Sequence, residues 1–91
     1  MEQKYLVSFR VGNDMRISSD FRKEIVAAIK RFNECDWGNI SDDAEDANEY
    51  AELYGGTIVG CYRTRLGGIY IILSDALAMP AEINILYENE L

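Results

Sequence analysis

The amino-acid sequence predicts an α+β domain of two layers, ordered β-α-α-β-β-β, in which a four-stranded, mainly antiparallel sheet carries two helices on one face. Three observations lead there. Segments with a period of two, or apolar throughout, lie at Tyr5–Val11 and again after Thr57, and two segments of helical period lie between them. Serines stand at the start of both helical segments, and Gly55-Gly56 stands at the end of the second. The 91 residues are 48% apolar with one proline and seven glycines, enough for a single core and without linker or repeat, so residues 1–91 are read as one domain.

Tyr5, Val7, Phe9 and Val11 alternate with Leu6, Ser8 and Arg10, which predicts a first strand ended by the turn residues Gly12-Asn13-Asp14. No glycine-rich phosphate loop follows it. Ser18-Ser19-Asp20 offers N-caps for a helix reaching about Asn33. Its Phe21, Ile25, Ala28, Ile29 and Phe32 share the buried stripe, and Arg22, Lys23, Lys30 and Arg31 fall mainly on a solvated basic face. Cys35-Asp36-Trp37-Gly38-Asn39 breaks the helical pattern, with Gly38 free to take a positive φ. Trp37 has two readings there, a plug for one end of the core and an anchor for a partner at the rim.

Ser41 caps the second predicted helix, and Asp42 and Asp43 suit its first turn because the helix dipole favours anions at that end. Ile40, Ala44, Ala47, Ala51 and Tyr54 form the expected apolar stripe. Thr57 to Thr64 is the second strand, and Arg65-Leu66-Gly67-Gly68 joins it as a hairpin to the third, Ile69 to Leu73. That third strand is apolar on both faces and is therefore expected in the middle of the sheet. After Asp75–Pro80, the residues Glu82 to Tyr87 alternate as a half-exposed last strand.

Charge is distributed unevenly along the chain. Residues 1–31 carry a net +3, residues 32–62 a net −8 with no Lys or Arg at all, and residues 63–91 a net −2, giving −7 in total. On the second helix Asp42, Glu45, Asp46, Glu49 and Glu52 recur at i, i+3, i+4, i+7 and i+10, opposite the apolar stripe. Each like-charge pair at these spacings costs roughly 0.2–0.5 kcal/mol, so stability alone would have favoured mixed signs. A chain so charged repels nucleic acid and favours a basic protein surface.

The residues argue against most chemistry. Histidine is absent, which removes the commonest general base and the commonest transition-metal ligand together. Cys35 and Cys61 form no CxxC pattern and are expected as two reduced thiols. Asp42, Asp43 and Asp46 share a helical turn without facing one another across a cleft as paired catalytic carboxylates do, and their spacing matches no EF-hand loop. No catalytic residue, metal ligand or cofactor is assigned. The N-terminal stretch lacks the design of a signal peptide and no apolar run spans a bilayer, so a cytoplasmic protein is expected.

From Phe21 onward the chain resembles a family of short proteins carried by bacterial plasmids, integrative elements and phages. The likeness rests on Asp36-Trp37-Gly38, Asn48, Gly56, Tyr62, Gly68-Ile69-Tyr70-Ile71-Ile72 and Asp75. Tyr70 stands where that family has Trp, Ala44 where it has Asp, and Ala76 where it has Arg. The resemblance implies a mobile-element setting and gives no catalytic activity to carry over. Small anti-CRISPR and anti-restriction proteins are similar in size and charge, which makes an anti-defence protein the expected function. Its acidic residues Asp42, Glu45, Asp46, Glu49 and Glu52, with Trp37 at the rim, would block the basic nucleic-acid channel of a Cas effector or another defence nuclease. The alternatives are an acidic anti-restriction DNA mimic and a non-catalytic accessory module. The accessory module would act as a homodimer or on another protein through an exposed sheet face bearing Tyr62 and Tyr70.

Overall fold

The computed structural model describes Gln3–Leu91; Met1 and Glu2 lie outside the described residues. The elements run β1 (Gln3–Val7), α1 (Phe9–Ile17), α2 (Ser19–Asn33), α3 (Asp42–Tyr54), β2 (Ile58–Thr64), β3 (Gly67–Leu73) and β4 (Ala81–Tyr87), with a closing 3-10 turn at Glu88–Glu90. The α+β class and the four-stranded sheet are as expected, but three helices rather than two accompany the sheet.

The extra helix replaces the second half of the expected first strand. Ser8 takes the extended conformation of an N-cap and its hydroxyl accepts from the Val11 amide at 3.2 Å, so the chain turns into α1 where the alternation of apolar residues still continues. Phe9, the third residue of that alternation, is 87% exposed, whereas Val11 is fully buried and Met15, four residues on, packs against the core. The working period here is thus 3.6. Gly12-Asn13-Asp14 lies inside the helix because this packing outweighs weak intrinsic propensity.

Ser18 then caps α2 through the Phe21 amide, and Ser41 caps α3 through the Ala44 amide, both as expected. The strand order is β1-β4-β3-β2. β2 with β3 and β3 with β4 are antiparallel, while β1 joins β4 in parallel with Tyr5 opposite Ile83. The sheet is therefore mixed, with β3 and β4 inside it. Its register puts Ile58, Tyr62, Ile69, Ile71, Ile83, Ile85 and Tyr87 on one face, where Val11, Phe21, Ile25, Ala28 and Phe32 of the helices meet them. Leu6, Val59, Tyr70, Ile72 and Leu86 lie on the other face, outside that core.

Candidate functional site

The site is built on α3, and its orientation is set by one polar residue. Asn48 is 3% exposed, and its amide donates to the Val59 carbonyl at 2.9 Å while accepting from the Val59 amide at 3.1 Å. This pins the helix along the free edge of β2. Two turns of loop chemistry close the next pair of edge groups. The Cys61 amide donates to the Trp37 carbonyl at 2.9 Å, and the Asn39 amide donates to the Cys61 carbonyl at 2.8 Å. A sheet edge left open invites pairing with another chain, and here Val59 and Cys61 of that edge are covered from within.

Helix α3 is rotated from the expected setting. Ala51 is buried and Ile40 and Ala44 are half-buried, but Ala47 and Tyr54 are exposed and Asn48 takes the inward place. The acidic residues still face outward. Asp42, Glu45, Asp46, Glu49 and Glu52 are all exposed, and among the described residues none of them takes part in an ion pair. The bases of α2 and of the β2–β3 hairpin pair away from α3 or face water. Arg31 donates from Nε and Nη2 to the two Asp36 carboxylate oxygens at 2.8 and 3.2 Å, and Arg65 reaches Asp20 and Glu24 on α2. Arg31 and the Gly38 amide together hold the Asp36 carboxyl below its usual range, the guanidinium being the larger cause.

Glu52 has one further neighbour. The Cys35 thiol donates to its carboxylate at 3.0 Å, and this bond, ahead of partial burial, pushes the thiol up to about 11. Cys35 is therefore a protonated, weakly nucleophilic thiol at neutral pH. Cys61 is free as well. Asp42, Asp43 and Asp46 do not converge; among the described residues no three His, Cys, Asp or Glu side chains group to hold a metal ion.

Two expected contact residues lie elsewhere. Trp37 is only 6% exposed and belongs to the core, so it plugs the end of the sheet and is not a rim anchor. Its loop is fixed by Gly38 at φ 74°, where a Cβ would collide with the Cys61 carbonyl, and by the Tyr62 hydroxyl donating to the Asp36 carbonyl at 2.7 Å. Tyr62 is 2% exposed on the helix-covered face, and only Tyr70 of the two tyrosines lies on the open face. Asp36, Trp37, Gly38, Asn48 and Tyr62 thus converge where α3 and the loop before it cover the middle of the β2 edge.

The open sheet face is the second surface of note. Val59, Tyr70, Ile72 and Leu86 form a half-buried apolar area, continued by a shallow groove of about 360 Å³ that Leu6, Ile72, Leu86 and Leu91 help to line. No helix of the described residues is long and apolar enough to cross a membrane. Comparison with protein-family models, with curated proteins and with solved structures finds no match.

Proposed function

We propose that this protein is a non-catalytic inhibitor that lays the acidic face of α3 on the basic nucleic-acid-binding surface of a defence effector inside a bacterial host. A Cas effector is the first target class, and a restriction enzyme met by an acidic DNA mimic is the variant of the same reading. The observation that carries the proposal is the line of five exposed carboxylates without cationic partners among the described residues. Over the ten steps from Asp42 to Glu52 the helix rises about 15 Å, so the five charges lie on average about 4 Å apart along the axis. A single strand of DNA presents one phosphate per 3.4 Å of duplex axis, and a channel lined for that spacing is electrostatically matched by this face. The mobile-element setting rests on the sequence resemblance alone.

The triple variant Glu45→Lys, Asp46→Lys and Glu49→Lys tests it. Binding to purified effector complexes should weaken by about 100-fold or more, because like charges are then juxtaposed. The affinity of the native chain should fall steeply as salt is raised. Undiminished inhibition by the variant, or an affinity indifferent to salt, rejects the proposal.

The bare apolar sheet face favours a second reading, an accessory protein that works as a homodimer through Val59, Tyr70, Ile72 and Leu86. Sedimentation should then show a dimer that Ile72→Glu converts to monomer. A native chain that stays monomeric at high micromolar concentration removes this reading.

A further inference from the structure

Toward its C-terminal end α3 presents a second kind of surface to solvent. Tyr50, Leu53 and Tyr54 are 64%, 72% and 66% exposed, and the two tyrosine rings rest against each other with centroids 4.7 Å apart. Leu77, 60% exposed, packs at Gly55 just beyond the helix end and extends the strip. Apolar residues at i, i+3 and i+4 are the pattern by which a helix buries a face, yet this face is turned away from the sheet. Tyr50 follows Asp46 by four residues and Leu53 follows Glu49 by four, so the strip continues the acidic line along the same side.

We infer that α3 receives a basic amphipathic helix of a partner protein, with the partner's apolar side chains on Tyr50, Leu53 and Tyr54 and its Arg or Lys side chains on Asp42, Asp46 and Glu49. This rests on the reading of the acidic face as partner-facing and adds the form of what it meets. A flexible polycation would use the carboxylates and leave the aromatic strip wet. An amphipathic helix uses both, since tyrosine offers rigid contact area and a ring face to guanidinium. The five carboxylates supply the charge complementarity that commits the strip to a cationic occupant.

Two labelled synthetic peptides about five turns long test the inference. One carries leucines at i, i+3, i+4 and i+7 flanked by arginines, and the other has the same composition with the leucines dispersed around the helix. Fluorescence anisotropy should show the amphipathic peptide binding about tenfold tighter or more. The double variant Tyr50→Ser and Tyr54→Ser should abolish that preference while keeping its circular dichroism and its binding of the dispersed peptide. Equal affinity of the native protein for both peptides overturns the inference and leaves the acidic reading standing. Retention of the amphipathic peptide by the Glu45→Lys, Asp46→Lys, Glu49→Lys variant overturns the acidic reading itself. Failure of the native chain to bind either peptide overturns the inference as well.

Discussion

An asparagine amide carries one donor-bearing nitrogen and one acceptor oxygen on a planar frame, as a peptide group does, and Asn48 uses both on the backbone of Val59. Truncating it leaves an amide and a carbonyl of the β2 edge without partners beneath a helix. At roughly 1–3 kcal/mol for each unsatisfied group, Asn48→Ala should lower the unfolding free energy by about 2–6 kcal/mol, read from the urea midpoint at unchanged m-value. An unshifted midpoint would show that water replaces the amide at no cost. Nothing in the sequence marks this residue structurally, because a polar side chain among alanines reads as helix surface and its partner lies on a strand outside any local period. Mistaking it for a surface position set the predicted stripe of α3 off to one side, toward Ala47 and Tyr54. The exposed Tyr50 and Leu53 passed unseen for the same reason, and Tyr54 was placed inward. The line of carboxylates survived that error, since its five positions depend only on the helix starting at Ser41.

At the level of elements, the capped helices α2 and α3 and the hairpin of β2 and β3 were legible because each has a local start signal and a repeating pattern. The boundary between β1 and α1 was not. Ser8 fits equally as a polar member of a strand and as an N-cap, and only the core packing of Val11 and Met15 decides between them. The acidic helix also bears on how the triple charge reversal is to be judged. In native α3 the pairs Asp42–Glu45, Asp42–Asp46, Glu45–Glu49, Asp46–Glu49 and Glu49–Glu52 are all repulsive. Reversing Glu45, Asp46 and Glu49 leaves two of those repulsions and turns three into attractions. Thermal unfolding of that variant should therefore be no lower than native, so a loss of binding reports on the interface and not on folding. A lower melting temperature would mean that the carboxylates serve the fold.

Over the whole molecule the groups whose pKa is raised give a loss of stability on the alkaline side. Burial, helped by Asp36 for Tyr62 and by the hydrogen bond to Asp14 for Tyr87, raises both phenols above their usual range. Cys35 is pushed up to about 11 by Glu52. In each case the unfolded chain releases its proton first, so stability is full below the unfolded pKa and declines as pH rises toward the folded one. Denaturant midpoints should hold from pH 7 to about pH 8.5 and then fall, first through Cys35 and above about pH 10 through the tyrosines, with Tyr62 contributing at most about 1.4 kcal/mol per pH unit. A midpoint constant to pH 11 contradicts this. The parallel pairing of β1 with β4 matters in another way, during synthesis. β4 is the last strand to be translated, yet it sits between β1 and β3, so the first strand has no neighbour until residues 81–87 exist. At roughly 5–20 residues per second the nascent chain spends several seconds with Tyr5, Leu6 and Val7 unpaired. A ribosomal product cut short before Ala81 lacks the strand that joins β1 to the rest of the sheet, and is left to proteases and chaperones rather than to a partner.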